Sequence, residues 1–577
     1  MVTLSRLVMT GLVLSGVTLS SRMSAADAAS RAASASTATA TASDPAISKA
    51  MGQPFYSGQI VPAPKQATYR DESLVLLDGS KRITFCEPMF EYFGPARDLL
   101  IRLSDQRFDR YKSLFGGEWK QPDKTQRLPV LFTLAGDPNA KYLLDRYDLH
   151  KTAASLKPQG YLLEVRPEGV LCAGKDNAGL VNALASFLQL IHVEGGRLVV
   201  RRASVVDWPT FTTRYTAEYS LGGAAFFDWM MLYKFNGFAS CYPAMDWRGL
   251  SDGHKKGMAV IKDYITKHQT MTYMVQFHIG GRRRPVVDCG DPKDVDRLLK
   301  TVAETLTLSG ARHIMLCYDD VRAKLQPRER GQFERPAQAH GAVADQVYRR
   351  VQEVSPGAIV SFCTPYYQGF QHRKWHAGKA LREQGLAYLK GTRAWNRNLR
   401  IVWTGPVTES RSITQDDIDR YREVIGKDRP LFYWDNTWHY HQPLRNFHSK
   451  YVKDFVHQCA DRTSYINVNG TKPIGKFFGA TAADYYWNPE GFDPKRSRQQ
   501  VVARFMGPAA VPAAERFYRF RGDGYSYHFS RMADLTKLEA ILRDLEQVSL
   551  DPDLTAYCWG YYDSVAKIQK KEPRKPR

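Results

Sequence analysis

The sequence predicts an α/β protein whose larger part is a TIM-type (β/α)8 barrel, preceded by a small α/β domain and followed by a helical C-terminal region. Three observations carry this. The 577 residues are too many for one ordinary core, so several domains are expected. From about Phe211, short apolar runs alternate with amphipathic helical stretches, which is the pattern of parallel strands covered by helices. Eight such runs can be counted, and that number suits a closed barrel. A hydrophobic content of 43% and an aromatic content of 12% belong to a folded chain, not a disordered one.

The elements follow in order. Arg6, the apolar stretch from Leu7 to Leu19, and the small residues around Met23-Ser24-Ala25-Ala26 read as an export signal over 1–26. The expected location is therefore secreted or periplasmic. The apolar run is too short to span a bilayer comfortably, and no later stretch is long and apolar enough to be a transmembrane segment. An Ala/Ser/Thr-rich spacer follows over 27–55. Residues 56–206 read as an α/β domain. Gly160 to Val165 forms a strand, and Asn177 to Ile191 forms a helix with Leu180, Ala183, Leu184, Phe187, Leu188 and Ile191 at helical spacing.

The barrel is expected over 207–490. Its strand candidates are Thr213–Tyr219, Gly237–Cys241, Thr272–Phe277, His313–Tyr318, Ala358–Cys363, Leu399–Trp403, Leu431–Trp434 and Ser464–Val468. Helices lie between most of them, among them Pro292–Ser309 and Thr414–Ile425, whose Thr-x-x-Asp start suits an N-cap. Residues 491–577 read as helical with a basic tail.

The eight cysteines are scattered without a CxxC pair, so no zinc or redox motif is visible. Cys317 and Cys363 sit in apolar runs and are expected to be buried thiols. The formal net charge of +22, with Arg282-Arg283-Arg284 and the tail KKEPRKPR, suits an anionic polysaccharide or a membrane surface. A solvated basic surface explains the tail equally simply. No nucleic-acid module is present, so charge alone does not imply a nucleic-acid partner.

Barrel enzymes carry their chemistry on the loops after the strands. Here those ends read Cys317-Tyr318-Asp319-Asp320, Thr364-Pro365-Tyr366-Tyr367, Trp434-Asp435-Asn436 and Asn467-Val468-Asn469, rich in acids, amides and rings. Such a mouth suits a sugar, which needs hydrogen-bond partners and a flat face to stack on. Two carboxyl groups held close resist ionising together. One can then donate a proton while the other stays charged, the division of labour that glycoside cleavage requires. The competing reading of Asp319-Asp320 is a pair of helix-capping acids.

These stretches resemble glycoside hydrolase family 84, the β-N-acetylglucosaminidases that include O-GlcNAcases and some enzymes once called hyaluronidases. The resemblance runs from about 56 to 490 and rests on DWMMLYKFNGF, SGARHIMLCYDDV, FCTPYYQGF, IVWTGPVTESRSIT, YWDNTWHYH and INVNGTKPIGKFFGATAADYYWNPEGFDP, in that order. The domain before the barrel looks like the one in families 20 and 84. The resemblance implies hydrolysis in which the substrate's own 2-acetamido oxygen attacks the anomeric carbon to form an oxazoline. It gives Asp319 the role of orienting the acetamido N–H, and Asp320 that of general acid and then base. Tyr367 and Asn436 fall where the family contacts the acetamido group, and Trp434 falls at a pocket wall. Asn467 or Asn469 matches a contact to sugar hydroxyls. The implied partner is a glycan or glycoconjugate carrying N-acetylhexosamine, and no cofactor or metal is implied.

The sequence also departs from the family. Its first strand ends Glu218-Tyr219-Ser220-Leu221-Gly222, where the family usually has Glu-Gly-Phe-Tyr-Gly. Tyr242-Pro243-Ala244-Met245-Asp246 lacks the family's lysine. His441 stands where the family places an aspartate. The catalytic acids are kept while the grip on the far side of the sugar is altered, which opens a second reading: a non-catalytic carbohydrate-binding barrel. His439 and His441 flank Tyr440, but no third ligand completes a metal site.

Overall fold

The computed structural model describes residues 58–77, 82–86, 108–111, 127–194, 197–218, 224–240, 246–268, 271–280, 285–319, 321, 323–368, 379–407, 413–435, 463–466, 473–521 and 534–571. The expected export signal, the spacer, the Arg282–Arg284 cluster and the tail beyond Lys571 lie outside the described residues. Among those described, no helix is long and apolar enough to cross a membrane.

The first sheet is mixed. Its strands are β1 (Gln66–Leu77), β2 (Arg82–Cys86), β3 (Phe108–Tyr111), β4 (Arg127–Leu134), β5 (Tyr161–Arg166), β6 (Gly169–Gly174), β7 (Ile191–Glu194) and β8 (Arg197–Asp207). They are ordered β1-β8-β5-β6-β4-β2-β3, with β7 added beside β8. Successive residues of a strand point to opposite faces, and the sequence fills both. Val130, Phe132, Tyr161, Leu163, Val170 and Cys172 pack into the main core on one side. Leu131, Leu162, Leu171 and Ala173 meet Leu143, Leu144 and Tyr147 of the helix Lys141–Tyr147 on the other.

The helix Asn177–Leu190 starts where the Asp176 carboxylate accepts a hydrogen bond from the Gly179 N–H, and it is buried all round from Gly179 to Leu190. A helix with no polar face must be enclosed on every side. Gln189 provides one anchor: its amide exchanges two hydrogen bonds of 2.7 Å with the Val61 backbone and donates a third, 2.9 Å, to the Leu232 carbonyl. Leu232 ends the helix Ala224–Leu232, which belongs to the barrel.

The barrel strands are β9 (Thr213–Glu218), β10 (Gly237–Ser240), β11 (Thr272–His278), β12 (His313–Cys317), β13 (Ile359–Cys363), β14 (Arg400–Trp403), β15 (Leu431–Asp435) and β16 (Thr463–Ile466). All eight neighbouring pairs are parallel, and β16 closes on β9. Each expected strand is found within one or two residues of its place. The helix Pro292–Ser309 shows why the wall is legible. Asp291 caps it, Pro292 fits its first turn, and Gly310 ends it at φ 66°, a left-handed conformation that favours glycine. Val295, Leu298, Val302 and Leu306 form its buried stripe. Thr414 and Asp417 form the reciprocal cap expected at the start of Gln415–Ile425.

Side chains fill the barrel interior: Tyr215, Ala239, Met274, Met315, Cys317, Cys363, Val402 and Phe432. Low in this interior, His313 lies 3.2 Å from the Tyr215 hydroxyl and also meets Ser361. Outside the strands, His340 stacks on Tyr318 with ring centroids 3.8 Å apart, and its Nδ1 lies 2.6 Å from the Tyr388 hydroxyl. Burial disfavours the charged imidazole in both: His340 is held down to about 3, and His313 well below its ordinary value of 6.5.

Between the folded and unfolded values, the unfolded chain binds a proton that the folded chain does not, so stability rises with pH in that window. The contribution of the neutral ring is present above about pH 6.5 and is lost progressively as pH falls toward 3. Urea midpoints measured from pH 7 to pH 4 are expected to fall. In His340→Gln the slope should flatten by up to about 1.4 kcal/mol per pH unit. Equal slopes in both proteins would contradict this assignment.

The helix Pro473–Trp487 follows β16 and lies against β16 and β9; after it, the helices Pro494–Met506, Val511–Arg521, Leu535–Val548 and Pro552–Lys571 form the helical C-terminal region. Arg498 and Glu515 join two of them through a buried pair of hydrogen bonds at 2.7 and 3.0 Å.

Candidate functional site

The C-terminal end of β12 sets the site. Cys317 points into the barrel interior. Tyr318 turns outward onto His340 and Phe362, while its N–H donates to the Cys363 carbonyl at 2.8 Å and keeps the chain in register with β13. Asp319 then returns to the inner side in a turn, with its side chain 18% exposed. It begins no helix: the next described helical element is the short turn Glu329–Gly331. The capping explanation of this acid therefore fails at Asp319.

A partner comes from the neighbouring strand. His278 pairs with Cys317 in the β11–β12 register, and its buried Nε2 lies 3.2 Å from Asp319 Oδ1. The two atoms are close without forming an aligned hydrogen bond, and the Asp319 side chain stays 18% exposed. A buried carboxylate oxygen without a hydrogen-bond partner among the described residues, on a side chain that still reaches the surface, is suited to accept a hydrogen bond from a ligand N–H or O–H.

Two other sequence-predicted residues converge on the same interior surface. Tyr367 is buried against the cluster containing Cys317, Cys363, Val402 and Phe432, and its carbonyl accepts from the Thr404 N–H at 3.1 Å. This contact ties the loop after β13 to the turn after β14, where Gly405 takes φ 91°. Trp434, near the end of β15, is half-buried and packs on that cluster. Asp435 beside it is buried and accepts from the Tyr486 hydroxyl at 2.7 Å, so this acid braces the strand against the helix Pro473–Trp487.

Asp319, Tyr367 and Trp434 therefore gather at the C-terminal ends of β12, β13 and β15. Asp320, Asn436, His441, Asn467 and Asn469 lie outside the described residues, as do His439 and Tyr242 to Met245. Asp246 is described, and its carboxylate engages Arg248 at 2.8 Å.

His278 is the residue that sequence reasoning missed. The sequence places the end of the third strand at Phe277, yet the strand runs one residue further. A signal is present: Met274, Gln276 and His278 alternate with Tyr273, Val275 and Phe277, so the first three share a face. An inward imidazole at a strand's C-terminal end is the kind of residue a barrel site uses.

Comparisons with known proteins agree with this architecture. A family model described as beta-N-acetylglucosaminidase matches residues 254–519, and one described as glycosyl hydrolase family 20, domain 2, matches residues 58–208. Among solved structures, CpGH84B has a TM-score of 0.60 at 15% identity, with 89% of this chain and 90% of that one covered. CpGH84D has a TM-score of 0.58 at 14% identity, with 88% and 87% covered. A beta-N-acetylhexosaminidase from Bacteroides fragilis NCTC 9343 has a TM-score of 0.52 at 13% identity, with 77% and 94% covered. At these identities the structural likeness speaks to the fold. The two family models account for successive stretches of the sequence.

Proposed function

We propose a catalytic mechanism on the premise that this chain belongs to the family-84, hexosaminidase-like glycoside hydrolases. It is a glycosidase that removes N-acetylglucosamine. In the proposed mechanism the nucleophile is the substrate's own acetamido oxygen, which adds to the anomeric carbon as the bond to the leaving oxygen breaks. Asp319 accepts the acetamido N–H and stabilises the positive charge that develops on the oxazoline. Asp320 gives its proton to the leaving oxygen, then takes one from the water that opens the ring, so configuration is retained. Because the substrate supplies the nucleophile, no enzymic carboxylate is needed across the sugar ring from the acid, and the usual separations of paired carboxylates do not apply.

The observation that carries the proposal is the placement of Asp319. It stands after β12 at the barrel mouth, beside His278 of β11, with a buried carboxylate oxygen that has no hydrogen-bond partner among the described residues and a side chain 18% exposed. Tyr367 is assigned to the acetamido group with Asn436, Trp434 to a pocket wall, and Asn467 or Asn469 to sugar hydroxyls. His441 takes the outer position where related sequences carry an aspartate. The net charge of +22 supports an anionic glycan substrate, and the N-terminal sequence supports export.

Participation by the acetamide has a direct test. Fluorine withdraws electrons from the acyl oxygen and weakens it as a nucleophile. Across aryl N-acetyl, N-fluoroacetyl and N-difluoroacetyl glucosaminides, kcat is expected to fall steeply with each fluorine. A flat series would exclude the acetamide as nucleophile. The missing lysine in Tyr242–Asp246 favours, as a second reading, a barrel that binds sugar without cleaving it. Tight binding of N-acetylglucosamine with no turnover would support that reading.

A further inference from the structure

We propose that Cys317, Cys363 and Asp319 bind a soft divalent transition metal ion, zinc by preference, and that the ion inhibits the enzyme by taking Asp319 from the substrate. The inhibitory part rests on the role given to Asp319 above. The binding part rests on geometry alone.

Cys317 and Cys363 are directly paired in the parallel register of β12 and β13, and both face the barrel interior. With His278, which pairs with Cys317 from β11, they make one row across three adjacent strands. Asp319 lies above this row. The two sulfurs and a carboxylate oxygen all lie within 4.8 Å of one another. Bonds of about 2.3 Å to sulfur and about 2.1 Å to oxygen would set tetrahedral ligand atoms roughly 3.5–3.8 Å apart. Small side-chain rotations close that gap.

The chemistry is selective. Two thiols and one carboxylate suit zinc and not magnesium or calcium, which take oxygen donors. Both cysteines are buried thiols outside any disulfide, so their sulfurs can ligate once deprotonated. Binding breaks two S–H bonds, forms two metal–sulfur bonds and releases two protons to solvent. Neighbouring groups support the ligands. The Gln276 amide donates to Cys317 Sγ at 2.7 Å, a contact that steadies a thiolate. His278 Nε2 lies 3.2 Å from Asp319 Oδ1 without an aligned hydrogen bond, so that carboxylate oxygen can turn to the ion with no hydrogen bond to break. Three protein ligands leave a fourth position for water at the open mouth.

The test uses the full chain, reduced, freed of metal by a chelator and titrated with Co²⁺. One equivalent is expected to produce a thiolate-to-cobalt charge-transfer absorption that Zn²⁺ abolishes. Cys317→Ala and Cys363→Ala should each weaken or remove that absorption. Asp319→Asn, which keeps both sulfurs, should retain it with affinity at least about tenfold lower. Absence of the absorption in the wild type, or its persistence in the double cysteine variant, would overturn the proposal. This readout needs no turnover, so it stands apart from failure of the hydrolase mechanism. In the activity assay, Zn²⁺ should inhibit the wild type, and Cys317→Ala should be resistant. Equal inhibition of both would place the inhibitory metal elsewhere.

Discussion

Asp319→Asn and Asp320→Asn are each expected to lower kcat on an aryl N-acetylglucosaminide by about 10²- to 10⁴-fold, the usual range for a positioned acid or base. The two losses should differ in kind. Asparagine at 319 presents an amide to the acetamido N–H and removes the negative charge that balances the oxazoline. That deficit should persist whatever the leaving group. Asparagine at 320 cannot protonate the leaving oxygen, so its deficit should shrink as the leaving phenol becomes more acidic. In both variants the loss should lie in kcat more than in KM, because the interactions removed strengthen in the transition state. A Brønsted series on the two variants measures this directly. Equal leaving-group sensitivity in both would reject the division of roles.

Asp207→Ala is expected to have the largest effect on stability, a loss of about 3–5 kcal/mol in urea unfolding, because it breaks a buried ion pair and leaves its partner unmatched. Asp207 ends β8, is fully buried, and is the centre of a knot that joins three parts of the chain. Its Oδ2 accepts from the Tyr161 hydroxyl at 2.9 Å, the Trp487 indole at 2.7 Å and the Lys234 ammonium at 3.3 Å. Its Oδ1 accepts from the backbone N–H groups of Lys65 and Trp208.

Lys234 is equally enclosed, over the Trp487 ring at 4.4 Å, and burial brings its pKa down to about 8 although Asp207 opposes the shift. Alanine at 207 would strand that ammonium in an apolar setting. Replacing both partners, as in Asp207→Asn with Lys234→Met, should recover part of the loss. A loss below about 1 kcal/mol in Asp207→Ala would show that water replaces the carboxylate.

The barrel could be read from the sequence because its strands and helices obey local rules. Apolar runs flanked by turns marked β9 to β16, and capping residues such as Asp291 and Thr414 marked helix starts. Asp319 stands out in the sequence because it follows an apolar strand, but only the structure separates it from a helix-capping acid. What local pattern does not carry is register. His278, Cys317 and Cys363 lie far apart in sequence, and only the pairing of β11, β12 and β13 makes them a row. The Asp207 knot was hidden for the same reason. In the sequence Asp207 is a lone acid beside Trp208 and Pro209, while Tyr161, Lys234 and Trp487 come from the first sheet, the barrel wall and the helix after β16.

The most direct test of the central claim compares an aryl β-N-acetylglucosaminide with the aryl β-glucoside that lacks the acetamido group. A site that uses the substrate's acetamide as nucleophile should cleave the first at least about 10³-fold faster, since well-placed intramolecular attack is worth roughly 7 kcal/mol or more. Rates within about tenfold of each other, or a folded protein that cleaves neither, would contradict it.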